Sequence, residues 1–291
     1  MAWAEALRDR VAEVTGVPGR FTWVLRMDPQ VQDAYGSLRY VPETYGPELD
    51  RLTAAGDILG LHPHAWRWRD PPGEWIADHG DHAWVEHCMD VSFAAFEGTF
   101  GAACRVHRFG DRFMHPVVLR HIRRLGVAVD LTVEPGARPM RSIHPGMGAT
   151  GMLPDYALAP RRPYRATADD PQRADDSPDA PGPWFLPLTS ADPGSTRPAW
   201  RRVANRIRYP LRPSHRPAAL DLPRPVAPFI AMIESAVRAM PRPYLAFGIR
   251  TDAPVMRSED WTHINDKVDA LLAGPLGRAF ASSIRRPRSR A

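Results

Sequence analysis

The chain has 291 residues, 44% of them hydrophobic and 24% charged, with a formal net charge of +5. That length and balance suit one sizeable α/β domain or two small ones, and they exclude wholesale disorder. The positive excess is arginine, Lys267 being the single lysine; the arginines are scattered and no nucleic-acid-binding signature accompanies them, so no nucleic-acid partner is expected.

Residues 3–15 have apolar positions at helical spacing (Trp3, Leu7, Val11, Val14), with Gly16 and Pro18 as the stop. The same residues carry charges where a signal peptide needs its apolar core, and no run approaches the ~20 apolar residues of a membrane span. A cytoplasmic protein without a membrane partner is expected. The run from Phe21 to Asp28 reads as a buried strand. A loop through Tyr35-Gly36 and Pro42 leads to a helix near 46–55 that ends at Gly56. The short strand Ile58–Leu61 passes directly into His62-Pro63-His64, and an aromatic loop from Trp66 to Trp75 precedes a helix at about 82–100. Cys88 and Cys104 have neither metal-pair spacing nor a disulfide framework, and read as buried free thiols.

Val106–Phe109 forms the next strand, Pro116–Leu125 a helix closed by Gly126, and Val127–Val133 another strand. From 137 to 182, and again over 191–225, Pro, Arg, Asp, Ser and Gly dominate without apolar period, so both stretches read as long loops or partly disordered excursions. Trp184–Leu188 is a strand between them. A helix at 226–240, a strand Tyr244–Ile249 and a helix at 258–273 capped by Ser258 follow, and the basic tail 282–291 is expected to be solvated. The whole of 1–291 reads as a single domain.

Strands alternating with helices through short connections indicate parallel βα units, in which functional residues gather at the carboxyl ends of the strands. Asp28, His62, His64, the stretch Arg108–Asp111 and Glu134 all fall at that edge. Two histidines spaced i and i+2 around a proline suit a divalent metal such as zinc, and a carboxylate commonly completes such a site. Asp28 ends the neighbouring strand and is the best carboxylate for it; its other reading is a cap before Pro29. Asp57 reads as a turn residue.

The stretch Ala55-Gly-Asp-Ile-Leu-Gly-Leu-His-Pro-His64 resembles the second motif of the polysaccharide deacetylases (the NodB-like superfamily). Phe21-Thr-Trp-Val-Leu is similar to a strand of that family, and Arg108-Phe-Gly-Asp111 with Gly126-Val-Ala-Val-Asp130 to its arginine-containing third motif. The resemblance covers about residues 20–135. It implies a distorted parallel (β/α) barrel and a metal-dependent hydrolase that removes an acyl group from a carbohydrate or related small molecule. His62 falls on the first metal histidine. The family's second ligand lies four residues on, where this chain has Trp66, so His64 replaces it, with Asp28 as third ligand. Arg108 is implied to orient Asp111 or Glu134 as the proton acceptor; its other reading is a salt bridge at the rim. Trp66, Trp68 and Trp75 are candidates for a sugar-stacking platform or for a cover over the barrel mouth.

The chain departs from the family at both ends. The strand bearing paired aspartates is missing, which makes the expected barrel incomplete at its N-terminus. An in-frame strand upstream of Met1 ending in Asp-x-Asp or Asp-x-Glu is one expectation. The segment Leu245–Asp252 lacks the family's terminal histidine, and His263 in the next helix is only a distant substitute. The alternative function is therefore a catalytically inactive barrel serving as a binding or assembly component.

Overall fold

The computed structural model describes residues 2–144, 146–191, 200, 203, 207, 216–217, 220, 225–238, 240, 244–249 and 261–279. After helix α1 (Ala2–Thr15), the chain runs β1 (Thr22–Leu25), α2 (Pro29–Tyr35), α3 (Tyr40–Ala54) and β2 (Ile58–Leu61). A pair of strands, β3 (Trp66–Arg69) and β4 (Glu74–Asp78), precedes α4 (His82–Phe100), β5 (Val106–His107), α5 (Pro116–Arg124) and β6 (Val129–Asp130). Short strands follow at β7 (Gly148–Thr150), β8 (Tyr164–Ala166), β9 (Ala174–Asp175), β10 (Trp184–Phe185), β11 (Ser190–Ala191) and β12 (Arg216–Pro217), with α6 (Val226–Arg238) and α7 (Trp261–Ala273) beyond them.

The main sheet has the order β1-β2-β5-β6-β10-β8-β9. It is parallel from β1 to β10 and antiparallel only across β8 and β9. This is the α/β class expected from the alternation of strands and helices. The register sets Leu25 beside Leu61, Leu61 beside His107 and His107 beside Asp130, so the carboxyl ends of β1, β2, β5 and β6 share one edge. Gly60 permits the close approach of β2 and β5, since a Cβ there would lie 2.6 Å from the carbonyl oxygen of Val106.

The core lies between this sheet and its helices. In α4, Val85, Cys88, Met89, Ser92, Phe93 and Phe96 are buried at helical spacing, and Asp81 caps the helix by accepting the Trp84 N–H at 3.0 Å. Both cysteines are buried, and burial pushes the Cys104 thiol up to about 11. A second cluster joins Leu7 of α1 to Phe229 and Ile233 of α6 and to Ile264 and Val268 of α7. Lys267 is buried there, its Nζ donating to the Leu220 carbonyl at 2.7 Å and lying 5.4 Å from the Phe229 ring. Among the described residues, no helix is long and apolar enough to cross a membrane.

Several expectations are corrected. The loop expected between β1 and the helix near 46–55 is helical for most of its length. Asp28 caps α2 and Pro29 opens it, a pairing of cap and N1 proline that favours helix entry. In α3 the backbone leaves helical values at Tyr45 (φ −120°, ψ 22°), two residues before Pro47, which cannot continue the hydrogen-bond ladder. The aromatic loop of 66–75 is an antiparallel hairpin with Trp68 opposite Trp75, extended by β7 into a three-stranded sheet. The stretch 137–182 is irregular in path but packs on the main sheet. Tyr156 and Tyr164 are buried in it; the Tyr156 hydroxyl accepts the Met114 N–H at 2.9 Å and donates to the Arg112 carbonyl at 2.7 Å. Tyr164 stacks on Phe185 with centroids 5.1 Å apart. Polar side chains satisfied by backbone take the place of an apolar period there. Asp57, read as a turn residue, is an anchor: Arg8 of α1 pairs with it at 2.7 Å, and it accepts the Phe21 N–H and the Trp23 indole N–H. Residues 244–249 form no ladder, although Ala246 and Thr189 bond to each other in both directions. Most of 191–225, Ser258 and the basic tail lie outside the described residues.

Candidate active site at the carboxyl edge of the parallel strands

Asp28 is fully buried where β1 turns into α2. The Arg26 guanidinium grips its carboxylate as a fork, Nε to Oδ2 at 2.6 Å and Nη2 to Oδ1 at 2.7 Å. Oδ2 also accepts the backbone N–H of His64 at 3.1 Å, and Oδ1 accepts that of Val31 at 3.4 Å. Asp28 thus does what the capping alternative predicts, and it also ties β1 to the segment that follows β2.

His62 donates from Nδ1 to the Arg108 carbonyl at 2.8 Å, which leaves the lone pair of a neutral ring on Nε2. Burial, then the positive charges of His64 and Arg108, hold its pKa well below the ordinary value, so the ring is neutral. Its Nε2 lies 3.1 Å from Nε2 of His64. The His64 ring rests on Gly110, where a Cβ would come within 2.4–2.5 Å of three ring atoms. Only glycine admits the imidazole there. His64 Nδ1 is 3.6 Å from Asp111 Oδ1.

Asp111 is the hub. It is buried and has φ 52° and ψ 18°, a left-handed conformation that non-glycine residues seldom adopt, and Arg112 follows at φ 54°. Its Oδ2 accepts the Trp66 indole N–H at 2.9 Å and lies 3.5 Å from His79 Nε2; its Oδ1 meets His144 Nε2 at 3.0 Å. Burial alone pushes the carboxyl upward, but the hydrogen bond with His144 and the nearby imidazoles of His64 and His79 outweigh it and hold it well below the carboxylate range. His79 is 1% exposed and stacks on Phe113 at 4.6 Å; burial lowers it to about 4, and neither ring nitrogen has a hydrogen-bond partner.

Arg108 donates to the Leu131 carbonyl at 2.6 Å and to Glu134 Oε1 at 2.8 Å, while Arg112 lies 3.8 Å from Glu134 Oε2. The guanidinium therefore meets Glu134, and the contacts around Asp111 come from histidines and a tryptophan instead. The hairpin alternation puts Trp66, Trp68 and Trp75 on one face. Trp66 is buried at the hub, while Trp68 is 47% exposed and packs edge-on against Trp75 at 5.4 Å.

Sequence reasoning placed Asp28, His62, His64, Arg108, Asp111 and Glu134 at one edge, and the structure brings them there. It missed His79 and His144, and it gave Gly110, inside the stretch Arg108–Asp111, no part of its own. The alternation Trp66-Arg67-Trp68-Arg69 was a strand signal that would have put His79 at the end of a hairpin. Nothing local marks His144, which meets Asp111 across 33 residues of chain.

Among the described residues, no group of three or more His, Cys, Asp or Glu side chains is arranged around a common metal position. The His62–His64 pair nevertheless fits the nitrogen half of such a site. Two ligands 2.0–2.1 Å from one zinc lie about 3.3 Å apart at the tetrahedral angle, close to the 3.1 Å observed. Each ring also turns its Nδ1 to an oxygen, the Arg108 carbonyl or the Asp111 carboxylate, as metal-bound imidazoles do. His64 Nδ1 is buried without a hydrogen-bond partner, 3.6 Å from the Asp111 carboxylate. No protein-family model matches the chain, and no curated protein matches it at a significant level.

Proposed function

We propose that this protein is a metal-dependent hydrolase that removes an acyl group, from nitrogen or oxygen, of a carbohydrate or related small molecule. In this reading the parallel run β1-β2-β5-β6-β10 is the wall of a deacetylase-type barrel. The observation that carries it is the pair of Nε2 atoms 3.1 Å apart, each on a ring whose other nitrogen faces an oxygen. His62 and His64 hold a divalent ion, zinc being the best fit to imidazole donors, with Asp28 as third donor once its carboxylate turns from Arg26. When bound, the ion supplies Lewis acidity toward an acyl carbonyl and lowers the pKa of water. Glu134, fixed by Arg108, is the proton acceptor for that water. Trp68 and Trp75 offer flat apolar faces to a sugar ring.

Protein purified without a histidine tag should contain near-stoichiometric zinc, nickel, cobalt or manganese. Zinc added to metal-depleted protein at a hundred times its Kd should stabilise the fold by about 2.7 kcal/mol, and His62→Ala should abolish the response. A melting temperature indifferent to zinc, together with no acetate released from acetylated sugars, sinks the reading. Asp28 also supports a second one. Its oxygens are already taken by Arg26 and two backbone N–H groups, as suits a barrel kept for binding or assembly; zinc binding without turnover of acetylated sugar amides would favour it.

A further inference from the structure

Hydrolysis of an amide needs a proton for the departing nitrogen, and none of the residues expected at this edge supplies it. We propose that His144 is that general acid and that Asp111 is its positioning residue, an assignment that rests on the hydrolase reading above.

Three imidazoles approach Asp111, and their surroundings separate them. His64 is wedged on Gly110 and faces His62. His79 is sealed against Phe113. His144 alone keeps an open flank, with 27% of its side chain exposed, and it makes the shortest contact of the three with the carboxylate. That contact runs through Nε2, so the Nε2–H is donated to Asp111 and Nδ1 is left as the nitrogen whose proton can be given away. The Trp66 N–H holds the second carboxylate oxygen, and the Trp66 ring meets His144 edge-on at 5.0 Å. Ser142 Oγ accepts the His144 N–H at 3.0 Å and donates to its carbonyl at 3.2 Å, which closes the backbone that presents the ring. Asp111 and Arg112 are both left-handed, a backbone state that non-glycine residues seldom adopt and that clusters at functional sites. It is at this strained turn that one carboxylate oxygen, Oδ1, meets both His64 and His144.

The step balances. Water oxygen bonds to the acyl carbon and its proton passes to Glu134; as the carbon–nitrogen bond breaks, the His144 imidazolium gives its Nδ1 proton to the leaving amine. Solvent then returns the proton from Glu134 to His144. The charge on Asp111 stabilises the imidazolium throughout.

The test compares leaving groups. An N-acetylated sugar leaves as an amine that must be protonated, whereas an aryl acetate leaves as a phenolate that need not be. His144→Ala and His144→Gln should lower kcat on the amide at least 100-fold, within the ~10²–10⁴ range of general acid catalysis, with KM nearly unchanged and a far smaller loss on the aryl ester. Asp111→Asn should show the same selectivity. Both His144 variants should keep the melting-temperature response to zinc, which separates the proton donor from the metal histidines. Equal losses on amide and ester, or no loss on the amide, overturn the assignment to His144. A wild-type protein inert toward both substrates overturns the hydrolase reading, and the general acid with it.

Discussion

Two histidine–aspartate pairs of nearly equal contact distance occupy opposite situations in this molecule. His107 Nδ1 lies 2.7 Å from Asp130 Oδ2, both side chains are fully buried, and the two residues are register partners on β5 and β6. Asp130 also accepts the Thr132 N–H and the Thr132 hydroxyl, so regular backbone builds the pair and saturates its carboxylate, while His107 Nε2 stays buried without a hydrogen-bond partner. His144 and Asp111 are joined across a strained turn and an irregular loop, with one flank open to water. The same two residue types therefore carry little meaning by themselves. A sealed pair on adjacent strands holds a sheet together, whereas an open pair on a left-handed turn is the one that suits the proposed proton donor.

The largest effect expected from this contrast is on stability. Asp130→Ala leaves His107 buried without its partner and should cost about 3–5 kcal/mol in urea unfolding. A loss under 1 kcal/mol would show that the sealed pair is dispensable and erase the distinction. His79 sharpens the comparison, since it faces Asp111 yet is sealed like His107. Its folded pKa of about 4 lies below the unfolded value near 6.5, so the unfolded chain binds more protons between those limits. Stability from His79 is present above pH 6.5 and lost as pH falls toward 4, by about 2–3 kcal/mol. His79→Phe should flatten that part of the stability–pH curve, and an unchanged curve would mean that the ring is charged or wet in the native protein. The smallest effect belongs to the open pair: His144→Ala should change unfolding free energy by less than about 1 kcal/mol. A loss as large as that of Asp130→Ala would make both pairs structural.

The sequence carried the parallel half of the fold clearly. Ile58–Leu61 running into His62, and Phe21 to Asp28, are compact apolar runs whose ends mark the edge of the sheet. The helix α4 was legible because its buried positions repeat at helical spacing. Less visible were elements whose cues lie in pairs of residues, such as Asp28-Pro29 opening α2 and the Trp-Arg alternation of β3. The strands β7 to β9 have two or three residues each, too few for any period. In the site, first-order placement by strand ends worked for Asp28, His62, His64, Arg108 and Glu134. The hub around Asp111 did not show, because its partners at 66, 79 and 144 come from a hairpin and a loop whose proximity only tertiary packing creates.

The order in which those partners occur along the chain gives the site a history during synthesis. His62, His64, Trp66, His79 and Asp111 all leave the ribosome before His144, which arrives on the connection that ends in β7. A chain cut short at about residue 140 keeps the facing imidazoles and the aspartate that gathers them, but has no exposed ring to release a proton. On the proposed function, such a fragment should bind zinc without turning over acetylated sugar amides, so metal occupancy alone would not report a complete site.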